Sequence, residues 1–133
     1  MSQENVEVLR RGVEALNRRD RAAFLALSDL ELENIPPRDW PESEPIRGRE
    51  AVWDFYVEGN TPWEETSFEF AEIMQVGADK VVADLRQEVK GKASGAQVVW
   101  AFWLVATLRE GRVLRNEFFT DRAAALKAVG LGE

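Results

Sequence analysis

Val98-Val-Trp100-Ala-Phe102-Trp-Leu104-Val-Ala106-Thr-Leu108 is the stretch that decides the fold. At the two-residue period of a strand it places Trp100, Phe102, Leu104, Ala106 and Leu108 on one face and Ala101, Trp103, Val105 and Thr107 on the other. Both faces are apolar, so both need a cover. Upstream, Val81, Ala83, Leu85, Gln87 and Val89 alternate with Asp84, Arg86, Glu88 and Lys90, and Phe68 and Phe70 alternate with Glu69 and Ala71. Downstream, Val113 to Thr120 reads the same way. Gly77-Ala78-Asp79, Gly91-Lys92-Ala93-Ser94-Gly95 and Arg109-Glu110-Gly111-Arg112 supply turn residues between these runs, so the four strands form an antiparallel meander.

The first half of the chain has the other period. Val6, Leu9, Val13 and Leu16 recur at helical spacing between Asn5 and Arg18, with Glu7, Arg10, Arg11 and Glu14 elsewhere, which predicts an amphipathic helix. Asp20 caps a second helix reaching about Ser28, with Phe24, Leu25 and Leu27 as its apolar contacts. Leu30 to Ile35 alternates as a strand with Leu30, Leu32 and Asn34 on one face. Four prolines between Ile35 and Gly48 mark a surface loop, and Trp40 within it is placed to roof a pocket or simply to pack the loop. Arg49 to Glu58 predicts a third helix with Val52, Phe55 and Tyr56 on one side and Gly59 as its C-cap; Asp121 caps a short last helix, Arg122 to Val129, ending at Gly130.

Length and charge bound the possibilities. A chain of 133 residues has room for one domain, residues 1–133, with a single core. Seventeen Lys and Arg against 24 Asp and Glu give a formal charge of −7, which opposes nucleic acid and anionic membrane surfaces as partners. With no cysteine and no histidine, disulfides, thiolate metal sites, thiol nucleophiles and imidazole bases are excluded, and the reading assigns no cofactor and no metal. The absence of a basic, apolar leader or a membrane-length run leads to the expectation of a cytoplasmic protein. One expectation for the second apolar face of Val98–Leu108 is a homodimer through the sheet, with Trp100 at the contact; the alternative is that the last helix covers it.

The order of elements, together with Glu14-Ala-Leu-Asn17-Arg-Arg-Asp20, Trp40-Pro41-Glu42, Gly48-Arg-Glu-Ala-Val52 and Asp121-Arg-Ala-Ala-Ala-Leu126, resembles the nuclear-transport-factor-2-like superfamily and, within it, the SnoaL-like branch. That resemblance implies a ketosteroid-isomerase-like fold: an α+β, cone-shaped, curved mixed or antiparallel sheet covered by N-terminal helices, a cystatin-like roll with a pocket between sheet and helices. In the isomerase members an Asp base, a Tyr and a protonated Asp act on the substrate carbonyl. The resemblance carries those positions to Asn34, Gly12 and Trp103, none of which has an ionisable acid, and carries the acid stretch of cyclase-like members to Asn116-Glu117-Phe118. It also carries a pocket Tyr to Tyr56.

Candidate binding residues are therefore Asn34, Tyr56, Gln87, Trp103, Asn116 and Phe118. The three amides fall on otherwise apolar, inward positions, and a buried amide without a partner costs about 1–3 kcal/mol, so each must meet a neighbour, a water or a ligand. Two carboxylates bear on catalysis. Glu72 points inward if its strand alternates strictly, whereas a bulge, the preferred reading, turns Ile73 in instead; Glu117 replaces Phe118 if the last strand slips by one residue. The outward carboxylates Glu31, Glu33, Glu69, Asp84 and Glu88 are expected in solvent or at a dimer contact, with Arg86, Arg115 and Glu117 forming ion pairs. The function expected is binding of a small, largely apolar organic molecule. The alternatives are an isomerase, cyclase or hydratase acting on a small carbonyl or polyketide-like substrate through Glu72 or Glu117, and a dimerising module with a vestigial pocket.

Overall fold

The computed structural model describes residues 3–40, 43–57, 64–91 and 94–131. The chain runs α1 (Glu4–Arg18), α2 (Arg21–Ala26), β1 (Ser28–Ile35), β2 (Ile46–Arg47), α3 (Arg49–Val57), β3 (Glu64–Val76), β4 (Lys80–Gly91), β5 (Gln97–Arg109), β6 (Arg112–Phe119) and α4 (Arg122–Ala128). One six-stranded sheet has the order β2-β1-β6-β5-β4-β3. The expected α+β class, mixed sheet and meander are present: β3 to β6 pair antiparallel in succession, and β1 lies parallel to β6.

Local chemistry sets the boundaries. α1 buries Val6, Val8, Leu9, Ala15 and Leu16, the stripe its spacing predicts. The Asp20 carboxylate accepts a hydrogen bond from the Ala23 N–H at 3.2 Å and starts α2. α2 ends at Ala26, two residues before the expected limit, because Ser28 already begins β1 while its hydroxyl donates to the Phe24 carbonyl at 2.8 Å. Between β5 and β6, Glu110 and Gly111 both have positive φ, 53° and 77°, the two-residue turn whose twist matches a hairpin. Asp121 caps α4 by accepting from the Ala124 N–H at 2.8 Å. The expected C-cap Gly59 lies outside the described residues.

Three details differ from the alternation read in sequence or decide between its alternatives. The β1–β6 register shifts between Ser28 and Glu33, so Leu30 turns to solvent, 69% exposed, while Leu32 and Asn34 stay inside. Ile46–Arg47, within the expected loop, adds a short antiparallel edge to β1. In β3 the register shifts between Phe70 and Glu72, where Ala71 is the extra residue. That bulge sends Ile73 to the core and Glu72 outward, where it pairs with Arg122 at 3.6 Å. Glu72 is thereby removed as an inward base.

Two cores flank the sheet. On the inner face α1, α2 and α3 pack Leu9, Leu16, Phe24, Val52 and Trp53 against Leu32, Val81, Leu85, Leu104 and Ala106. Each fully buried side chain of this size stabilises by about 1.5–3 kcal/mol. On the outer face α4 seats Ala125 against Val82 and Val105, with Met74, Trp103 and Phe119 around them. The chain's own last helix therefore covers the middle of the second apolar face of β5. Asp84, expected in solvent, is 8% exposed on that face and takes a two-pronged contact from Arg86 at 2.8 and 2.9 Å. Arg115 pairs with Glu33 at 3.2 Å. No described helix is long and apolar enough to cross a membrane.

Candidate functional site

Inner-face residues of the sheet beyond the reach of α1 and α2 wall a cavity of about 740 Å³. β4 contributes Leu85, Gln87 and Val89; β5 contributes Val98, Trp100 and Phe102; β6 contributes Phe118, and β3 contributes Phe68. The other side comes from Phe55 and Tyr56 on α3 and from the proline-rich loop, through Pro36, Pro37, Trp40, Ser43 and Glu44. The lining is mostly rings and branched aliphatics, the composition of small-molecule sites. Trp40 meets Phe102 edge-on, ring centroids 5.6 Å apart, and Phe102 meets Phe118 in the same way at 6.1 Å, so the loop is anchored to the sheet through stacked edges. Pro41 and Glu42 of the quoted loop motif lie outside the described residues.

Beyond Tyr56, Phe68 and Leu85, which wall both spaces, lies a second, smaller cavity of about 50 Å³ under α1 and α2. Gly12, Ser28 and Asn116 line it among aliphatic and aromatic side chains. A Cβ on Gly12 would meet nothing within 4 Å.

Polar side chains join where the two spaces adjoin. Parallel pairing of β1 with β6 sets Asn34 directly opposite Asn116. Asn116 Nδ2 donates to Asn34 Oδ1 at 3.1 Å, and Asn34 Nδ2 donates to the Tyr56 hydroxyl oxygen at 2.8 Å. Asn34 and Asn116 are 3% and 8% exposed, so this chain of amides runs through the core. Asn116 Oδ1 is buried and meets no partner among the described residues. Tyr56 sits edge-on to Phe24, Phe55 and Phe68. Burial pushes its phenol above the ordinary value, with the Asn34 hydrogen bond pulling the other way.

Of the residues expected from sequence, Asn34, Tyr56, Gln87 and Phe118 line the large cavity, and Asn116 lines the small one. Trp103 lies on the opposite face of the sheet. It pairs across the strands with Asp84 and Phe119 and lies 5.7 Å under the Arg122 guanidinium. Strand alternation explains the correction: the β5 residues that face the cavity are Val98, Trp100 and Phe102, whereas Trp103 packs on the other face with the core under α4. Trp100 accordingly moves from the expected dimer contact to the cavity wall. Phe118 packs against the inner core and Glu117 does not line either space, so the last strand keeps the register without the slip.

Glu44 is a lining carboxylate that sequence reading passed over. It lies in a loop without periodicity, where no pattern assigns a direction. Trp100 and Phe102 share a face with Leu104 and Ala106, but β5 is apolar on both sides, and its period alone does not say which set meets the hollow. Among the described residues no group of three or more His, Cys, Asp or Glu side chains converges to hold a metal ion.

Comparison with known proteins bears on the same arrangement. No curated protein matches the sequence. An NTF2-like protein from Burkholderia xenovorans is 24% identical, with a TM-score of 0.71 and 97% of each chain covered. RV0760c from Mycobacterium tuberculosis, solved in complex with estradiol-17β-hemisuccinate, is 14% identical with a TM-score of 0.73, covering 89% of this chain and 94% of that one. A computationally designed 17-OHP binder is 14% identical, TM-score 0.72, covering 89% and 93%. At these identities the likeness establishes the fold. The sequence model of the SnoaL-like domain matches residues 9–116. With the helices, the mixed sheet and the hollow between them in place, the chain belongs to the SnoaL-like domain family.

Proposed function

We propose that this protein binds a small, largely apolar organic molecule in the large cavity. The observation that carries the reading is the cavity itself: about 740 Å³, walled by rings and aliphatics, with Asn34, Tyr56 and Gln87 as its inner polar groups. That volume suits a polycyclic or multi-ring aromatic compound. The neighbours solved with a steroid ester, or designed to bind 17-OHP, support the capacity of this fold for such occupants. Apolar area against Phe68, Phe102 and Phe118 supplies affinity, and the amides orient the ligand's polar end.

The test is calorimetric titration with a panel of steroids and multi-ring phenols and ketones, repeated on Phe102→Arg, which places a charge in the wall. Micromolar binding to the wild type, lost in a folded Phe102→Arg, is expected; no binding across the panel, or binding indifferent to the substitution, overturns the reading. A catalytic reading has one observation in its favour, the Glu44 carboxylate on the lining. Product formation from a bound ketone that disappears in Glu44→Gln would favour it over binding alone.

The proposal includes a homodimer through the sheet face. Its support is Val99 of β5, which shares the outer face with Trp103 and Val105 and is 55% exposed there. Light scattering should give twice the monomer mass, and a monomer at high micromolar concentration would end this part.

A further inference from the structure

The polar groups at the inner end of the site are unequally used, and the inequality identifies the chemical class of ligand. In the Asn116–Asn34–Tyr56 chain each amide already donates: Asn116 Nδ2 to Asn34, and Asn34 Nδ2 to Tyr56. The acceptor Asn116 Oδ1 is left buried with no partner among the described residues, on a side chain 8% exposed. An amide oxygen in that state forfeits a hydrogen bond it had in water. Asn116 lines the small cavity of about 50 Å³, which has the walls Tyr56, Phe68 and Leu85 in common with the large one. A hydroxyl needs roughly the room of one water, some 10–15 Å³ of probe-sized space, so the small cavity accommodates one. Among the described residues, no Lys or Arg lines either cavity. A carboxylate driven inward would be an unpaired buried charge.

Resting on the binding function proposed above, we propose that the ligand's leading end is a neutral hydroxyl, an alcohol or a phenol. It passes between Tyr56, Phe68 and Leu85 and donates its hydrogen bond to Asn116 Oδ1. A ketone in the same place sets one acceptor against another and leaves the amide oxygen unsatisfied. A site built around a buried hydrogen-bonding group rejects analogues that cannot complete the bond far more strongly than it rejects small differences of size. The site is therefore selective for hydroxylated over keto forms of one skeleton, the reverse of a pocket that polarises a carbonyl.

Two probes on one scaffold test this: 4-phenylphenol, which donates, and 4-acetylbiphenyl, which only accepts, each titrated calorimetrically into the full chain and into Asn116→Ala. The phenol should bind the wild type at least tenfold tighter than the ketone. In Asn116→Ala the ratio should fall below threefold through loss of phenol affinity, with ketone affinity held within threefold. Equal binding, ketone preference, or a ratio unchanged in Asn116→Ala overturns the hydroxyl proposal and leaves the binding function standing. If neither probe nor any member of the earlier panel binds, the binding function falls and takes this proposal with it. Should Asn116→Ala fail to fold, the wild-type ratio decides alone.

Discussion

Replacing Asn34 by Ala removes the centre of the amide chain, and the structure gives the size of the effect. Asn34 is 3% exposed, donates to the Tyr56 hydroxyl oxygen at 2.8 Å and accepts from Asn116 Nδ2 at 3.1 Å. Each intramolecular hydrogen bond contributes about 1 kcal/mol net, so the two together account for about 2 kcal/mol. The substitution also strands the Asn116 amide, whose oxygen already lacks a partner among the described residues, and an unsatisfied buried group costs about 1–3 kcal/mol. The expected destabilisation is about 3–5 kcal/mol, a midpoint lowered by roughly 10–20 °C for a domain of this size. Urea unfolding followed by circular dichroism measures it, with unchanged m as the check that the native state is intact. The decisive arm is the cycle with Asn116→Ala. Because Asn34 is a partner of Asn116, the double variant should be more stable than the sum of single effects implies by about 1–2 kcal/mol. Additivity within about 0.5 kcal/mol would mean that the two amides do not act together, and the basis for the polar end of the site would fail.

Two further outcomes follow from single residues. Tyr56 is the one tyrosine of the chain, so phenolate absorbance near 295 nm reports it alone. Burial raises its folded pKa above the ordinary 10.0, so it favours the fold below that value and this contribution is lost as pH rises beyond it; phenolate should appear only with alkaline unfolding, and a transition near the ordinary value in folded protein would refute the burial. Asp121→Ala removes the carboxylate that caps α4 at the Ala124 N–H and should cost about 1 kcal/mol in thermal or urea unfolding; a change below about 0.3 kcal/mol would show that α4 is held by its Ala125 contact alone.

How much of this was legible depended on range along the chain. The stripe of α1, the alternation of β4 and β5 and the caps at Asp20 and Asp121 are local, and local spacing revealed them. Asn34 and Asn116 were each legible as inward polar residues, but their contact was not: it depends on parallel pairing of strands 82 residues apart, which leaves no local period. Leu30 misled because alternation was carried through a register shift that only the partner strand imposes. Trp103 misled for another reason. β5 is apolar on both sides, so its period separates two sets of residues without saying which set meets the hollow. Glu44 had no period at all.

Gly12, in the middle of α1, gives the site an adjustable stop. Because nothing stands within 4 Å of where its Cβ would be, the floor of the inner chamber is set by an omitted side chain, while the sheet that forms the opposite wall is committed to its own packing. A single-codon change to Ala, Ser or Val at this position would raise that floor in graded steps and would also relieve the helix of its least favourable residue, by about 1 kcal/mol for Ala. Depth, and with it the length of guest admitted, can drift independently of the rest of the architecture, so relatives that differ here should sort their guests by reach.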